Sequence, residues 1–259
     1  MNEKVSELKE LLKTSFKNPL WLAYYTWYSS YNPSNSLKKH SKYLDYYIKN
    51  EADINKILFE VSINPIDELK LIKEFEELPY PDTKVTSSIP NYSDASWEFA
   101  LLIYLIVRVK KPEKILETGV GRGLSTYYIL NALRLNGLGK LYSIDLPALI
   151  KNYEEEVGLY IPECLKKSWI FLRGPSLRII KNQMEKFKGI DIFIHDSNHN
   201  YLYMKRECEI GFKLLKNNGI LIADDVNNDS LYEIHKNYKS KLFSIIQEKQ
   251  DPIVLLIKI

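Results

Sequence analysis

From about residue 86 onward, short apolar runs alternate with amphipathic helices, and the chain then ends on two runs with no helix between them. The spacing predicts strands at Lys114–Thr118, Leu141–Asp145, Trp169–Leu172, Asp191–His195 and Ile220–Ala223. Helices are expected over Ser96–Lys110, Leu124–Leu135 and Tyr201–Lys216, the last with Met204, Cys208, Phe212 and Leu215 on one face. Apolar, β-branched runs separated by helices imply a parallel sheet covered on both faces. Leu242–Glu248 and Ile253–Ile259 are joined by only Lys249-Gln250-Asp251-Pro252, too few residues for a crossover, so this pair must be antiparallel. The fold class is therefore α/β, a doubly wound, mostly parallel seven-stranded sheet with a C-terminal antiparallel hairpin.

Residues 1–85 read differently, as helices only, and are expected to form an N-terminal helical cap before a sheet domain at 86–259, with Pro79-Tyr80-Pro81-Asp82 at the boundary. Val5, Leu8, Leu11 and Leu12 have helical spacing, and Leu37–Lys49 and Pro65–Leu78 suggest two further helices. Between them lies an aromatic run with Trp21, Tyr24, Tyr25, Trp27 and Tyr28. It reads as a helix packed on the core or a dimer contact, or as a substrate lid whose rings stack on a sugar or planar group.

Charge excludes some classes. With 36 basic and 33 acidic residues the net charge is +3, and no Lys/Arg block stands out, so no nucleic-acid partner is expected. Cys164 and Cys208 make neither a disulfide framework nor a zinc site. The most apolar stretch, Phe99–Val107, is far shorter than the roughly 20 residues that span a bilayer. Met1-Asn2-Glu3-Lys4 is followed by no apolar h-region. The expectation is a soluble cytoplasmic protein with no membrane partner.

The chemistry concentrates at strand ends. Ile115–Thr126 places Gly119, Gly121 and Gly123 at a strand-to-helix junction, where glycines permit a tight turn and close approach of a ligand. The helix N-terminus favours a carboxylate, to which Ser125 could donate, and Asp145 at the next strand end suits ribose hydroxyls. The alternative is a glycine-rich turn without a ligand. Asp196 follows the fourth strand, and Asp224 and Asp225 follow the fifth. Neighbouring strands lie about 4.8 Å apart, so the three carboxylates could converge, and carboxylates sharing a small space need a cation or protons. Oxygen-only ligation suits Mg²⁺, or else Ca²⁺ or Mn²⁺. Alternatively, Asp196 or Ser197 caps the helix near Asn200, and Asp224-Asp225 caps one near Asp229.

The run from Glu117 through Gly119, Gly121 and Gly123 resembles the first motif, E/D-x-G-x-G-x-G, of S-adenosylmethionine methyltransferases with a Rossmann-like sheet. The resemblance implies that Glu117 organises the methionine end of the cofactor, that the glycines and Ser125 border it, and that Asp145 holds its ribose. In Arg173-Gly174-Pro175-Ser176 it places Ser176 near the adenine. The stretches Asp196-Ser-Asn-His199-Asn-Tyr201 and Asp224-Asp225 are similar to elements of metal-dependent O-methyltransferases: the macrolide-sugar, cephalosporin hydroxylase and catechol groups. By this likeness, which covers roughly residues 86–259, Asp196, Asp224 and Asp225 bind a divalent cation. Asp196 also borders the cofactor, and His199 is the general base. His195 is a pocket residue, and His40 and His235 lie at the surface. The implied function is methyl transfer to a hydroxyl of a small-molecule acceptor. A nicotinamide-dependent oxidoreductase would share the loop and Asp145 but leave Asp224-Asp225 and the hairpin unexplained. A non-catalytic interaction module is the third reading, and homo-oligomerisation is left open.

Overall fold

All six residues of β4, Ile190–His195, are buried, as a strand covered by helices on both faces requires. The computed structural model describes residues 44–62, 67–81, 94–146, 156–247 and 251–259. In it, β1 (Lys114–Thr118), β2 (Lys140–Asp145), β3 (Trp169–Arg173), β4, β5 (Leu215–Ala223), β6 (Ser240–Ile245) and β7 (Ile253–Lys258) form one seven-stranded sheet in the order β3-β2-β1-β4-β5-β7-β6. β1 to β5 pair in parallel, and β7 runs antiparallel to both β5 and β6. This is the expected Rossmann-like architecture.

Alternation along the strands sorts the core into two layers. Ile192 and Ile194 join one cluster with helices Trp97–Lys110 and Leu124–Asn136. Phe193 joins the other, with helices Tyr201–Leu214 and Ser230–Asn237. Ser96 starts the first of these helices by accepting the Phe99 N–H at 3.0 Å. Ala52, Ile57, Leu58, Val61 and Phe75 belong to the same core cluster as Phe99 and Ile192, so the helices Ile54–Val61 and Glu68–Glu76 pack directly on the sheet domain. The aromatic run Trp21–Tyr28, the expected helix at residues 5–12 and His40 lie outside the described residues.

Several elements differ from expectation. β5 starts at Leu215, whereas the helical pattern runs on through Lys216. Lys216, Asn217 and Asn218 are exposed at the sheet's end, so the strand there carries no apolar signal. β6 runs Ser240–Ile245 and not to Glu248, because its ladder with β7 ends at the Ile245–Ile253 pair. The helix Ile54–Val61 has no counterpart among the expected helices. Asp53 caps it, accepting from Lys56 N–H at 2.8 Å. Among the described residues no helix is long and apolar enough to cross a membrane.

Candidate active site

Strands β1 and β4 are neighbours, yet the chain leaves β1 toward β2 and leaves β4 toward β5. Their carboxyl ends therefore open a crevice at the switch point of the sheet, where ligands bind in folds of this type. The glycine loop and the turn after β4 meet there. Asp196 N–H donates to the Thr118 carbonyl at 2.8 Å, and Gly119 lies so close to the Asp196 peptide that a Cβ on it would sit 1.7 Å from the Asp196 carbonyl oxygen. With its φ of +86°, the position accepts only glycine, and the chain's own packing demands it. Gly123, at φ +91°, precedes the helix Leu124–Asn136, and a Cβ there would meet the Gly158 Cα at 2.9 Å.

Glu117 lies fully buried under the loop. It accepts from Ser125 Oγ at 3.0 Å, Thr126 Oγ1 at 2.8 Å and Ser143 Oγ at 2.6 Å. Burial pushes its carboxyl up to about 7, against the pull of these hydroxyls. Ser125 thus stands on the protein side of the loop, bound to Glu117. Asp145 Oδ2 accepts the Val120 and Gly121 N–H groups, both at 2.9 Å, so this acid shapes the loop as well as ending β2. The Gly174 N–H donates to the Asp145 carbonyl at 2.8 Å, which brings the Arg173–Ser176 turn to the same edge. Ser176 is buried, with its Oγ 2.6 Å from Tyr203 Oη. Asp191, by contrast, belongs to the opposite end of β4, where it accepts from the Glu113 and Lys114 N–H groups.

Neither capping alternative holds. Asn200 caps the helix Tyr201–Leu214 through Leu202 N–H, and Asn228 Oδ1 accepts the Ser230 N–H at the start of the next helix. Asp196, Asp224 and Asp225 all have raised pKa values. Burial and then the charges of Asp224 and Glu117 hold the Asp196 carboxyl well above the carboxylate range. Burial and Asp225 push Asp224 up to about 7, and burial and Asp251 raise Asp225. Among the described residues Asp224 Oδ1 is buried without a hydrogen-bond partner, and Asp225 adopts a left-handed φ of 46°. Among the described residues, however, no three His, Cys, Asp or Glu side chains stand together as a ready-made metal site. His199 Nε2 lies 3.9 Å from Asp196 Oδ1. Burial lowers its pKa to about 4, so the ring is neutral near pH 7. His195 is fully buried and packs edge-on to His199, ring centroids 5.7 Å apart.

Sequence reading missed three groups. Glu207, on the buried face of its helix, is fully buried and binds Thr118, Ser176, His195 and Ser197. Its signal was an acid between Met204 and Gly211 on a face otherwise read as apolar. Arg122 of the glycine loop pairs with Asp94 and lies 5.1 Å over the Tyr160 ring. Gln247, from the segment between β6 and β7, pulls the Asp224 pKa down and accepts from Ser96 Oγ at 2.7 Å. Contacts this distant in sequence leave no local pattern.

Residues 116–226, the part of the chain that carries the crevice, match the family model described as a methyltransferase domain. Among solved structures, an O-methyltransferase from Streptomyces achromogenes involved in tomaymycin synthesis, in complex with SAM, is similar with a TM-score of 0.54 and 14% identity, covering 82% of this chain and 98% of that one. An O-methyltransferase from Bacillus cereus in complex with SAH gives 0.54 and 14% over 83% and 100%. A methyltransferase from Geobacter sulfurreducens gives 0.51 and 19% over 76% and 99%. At these identities the likeness is one of fold. None of the curated proteins matches the chain.

Proposed function

We propose, from the premise that this chain carries a methyltransferase domain on a Rossmann-like sheet, that it transfers the methyl group of S-adenosylmethionine to a hydroxyl of a small-molecule acceptor. The observation that carries the reading is the crevice between β1 and β4, where the glycine loop, Asp145 and the Asp196–His199 turn meet. The cofactor would lie along Gly119, Gly121 and Gly123 with its ribose toward Asp145. Glu117, Ser125 and Ser176 would support that edge from within, and Asp196 would border it.

Asp196, Asp224 and Asp225 suit a hard divalent cation, Mg²⁺ above all. They offer only oxygen donors, the charges of Asp224 and Asp225 raise the Asp196 pKa and that of Asp225 raises Asp224, and Asp224 Oδ1 lacks a partner among the described residues. The three carboxylates do not converge on one point, so closing on an ion would take rotation of their side chains. A cation bound there would supply Lewis acidity toward the acceptor oxygen. The protein's own part is to orient the two reactants and to take a proton. His199, neutral near pH 7, accepts the hydroxyl proton at Nε2, the nitrogen facing Asp196.

Calorimetry tests the reading without knowledge of the acceptor. S-adenosylhomocysteine should bind in the micromolar range, about −7 to −8 kcal/mol. Mg²⁺ should bind the wild type, and Asp224→Asn should lose Mg²⁺ while keeping S-adenosylhomocysteine. Tighter binding of NAD than of S-adenosylhomocysteine would overturn the methyltransferase reading, and Mg²⁺ binding unchanged in Asp224→Asn would overturn the metal role.

A further inference from the structure

A buried carboxylate ties the two halves of the crevice together from behind. Glu207 has no solvent exposure and accepts from four groups: Thr118 Oγ1 at 2.6 Å, His195 Nδ1 at 2.5 Å, Ser197 Oγ at 2.8 Å, and Ser176 Oγ. The placement of these donors is specific. Thr118 immediately precedes Gly119, and His195 and Ser197 flank Asp196. Gly119 and Asp196 are the two residues whose backbones touch where loop and turn meet. The carboxylate therefore holds the residue before the glycine loop and both neighbours of Asp196 at one point. An acid in a helix face of Met204, Cys208 and Phe212 adds nothing that a Leu would not add to packing. Its presence forfeits apolar burial, which makes sense only through its acceptor oxygens.

The same bond orders the histidines. With Nδ1 donating to Glu207, the His195 ring is fixed in rotation and tautomer, and its Nε2 is left buried without a partner among the described residues. That ring packs edge-on against His199. We propose that Glu207 is a positioning residue, which sets the glycine loop and the Asp196–His199 turn in one fixed relation and holds His195 as its Nδ1–H tautomer against the His199 ring. The inference rests on the crevice being the cofactor site, but its spectroscopic part is independent of that reading.

The test uses the full chain labelled with ¹⁵N-histidine, histidine variants to assign the ring signals, and calorimetry with S-adenosylhomocysteine. In the wild type, His195 should show a protonated Nδ1 and a bare Nε2. Glu207→Gln keeps the shape but turns an NH₂ toward groups that donate. It should shift the His195 and His199 ring signals and weaken S-adenosylhomocysteine on the order of tenfold, the usual effect of losing an outer orienting group. Glu207→Asp, which keeps the charge, should recover the His195 tautomer and part of the affinity. A Glu207→Gln protein that melts earlier but keeps wild-type His199 signals and affinity would show a role in packing alone and overturn the proposal. So would a wild-type His195 protonated at Nε2. If Glu207→Gln does not fold, Ser197→Ala decides, since it removes only the bond between Glu207 and the turn. A shift of the His199 signals supports the proposal and none overturns it. Should the wild type fail to bind S-adenosylhomocysteine, the function proposed above falls, while the histidine spectra still settle the positioning role.

Discussion

Glu117 keeps a carboxyl in the interior with three hydroxyls turned toward it, and these do not offset the cost of burying its charge. Its folded pKa, about 7, lies above the ordinary 4.5. Between those values the folded state binds more protons than the unfolded one. The stability it contributes is therefore complete below about pH 4.5 and lost as the pH rises through 7. Moving a carboxyl that far is worth roughly 3 kcal/mol. Glu117→Gln has no proton to lose. Urea melts at pH 5 and pH 8 should show the wild type losing roughly 2.5 kcal/mol more than the variant between the two, with titrating groups away from Glu117 cancelling in the comparison. An equal loss in both proteins would mean that Glu117 is ionised throughout. The motif made this acid legible in the sequence, as it did Gly119 and Asp145. It did not reveal that Ser125 would face Glu117, nor that Gly119 is demanded by the Asp196 peptide, because both depend on how β1 sits against β4.

At the scale of elements, the glycine loop is clamped from outside as well as from below. Gly158 N–H donates to the Gly121 carbonyl at 3.0 Å and Tyr160 N–H to the Arg122 carbonyl at 2.9 Å. Arg122 Nε lies 2.9 Å from Asp94 Oδ1, and Tyr160 Oη donates to the other oxygen at 3.2 Å. The start of helix Trp97–Lys110, the loop after β1 and the segment after β2 thus share one nearly buried ion pair. Asp94→Asn strands the guanidinium, and breaking a buried pair from one side costs roughly 3 kcal/mol. The double variant Asp94→Leu/Arg122→Met should cost clearly less than the two single changes together. Additive costs would show that the pair does not couple these elements. None of this was legible beforehand, since residues 94, 122 and 160 lie on separate elements with no common period. The strands themselves were legible, because apolar runs buried on both faces look alike wherever they occur. β5 was legible only where Ile220–Ala223 enters the core, not over its exposed start.

For the whole molecule, the sequence division into a helical cap and a sheet domain meets a core that crosses the boundary. Phe75, from the helix Glu68–Glu76, is 1% exposed. It packs against Trp97 at 4.6 Å, Tyr104 at 5.3 Å and Tyr128 at 4.5 Å between ring centroids, all on helices that cover the sheet. Tyr104 Oη and Arg108 also bind Glu74 of the same helix. Farther along, Ala52 N–H donates to the Ser244 carbonyl of β6 at 2.9 Å, and the Tyr47 hydroxyl donates to the Asn228 carbonyl at 3.0 Å. The described residues within 47–62 and 67–76 therefore contribute ring packing, ladder-like bonding and ion pairing to the same body that carries the crevice. A hinge that lifted them away would expose Phe75, Ile57 and Leu58 at once, and such apolar burial is worth on the order of 1.5–3 kcal/mol per side chain. It follows that this stretch unfolds with the sheet and not before it. Phe75→Ala should lower global stability by roughly 3–5 kcal/mol, the usual cost of emptying a buried aromatic position. It should do so in one transition, with the far-ultraviolet signal of the helices and the near-ultraviolet signal of the aromatic core moving together. Two separated transitions, with the aromatic signal lost first and S-adenosylhomocysteine binding kept in between, would instead make the helices a unit able to move on their own.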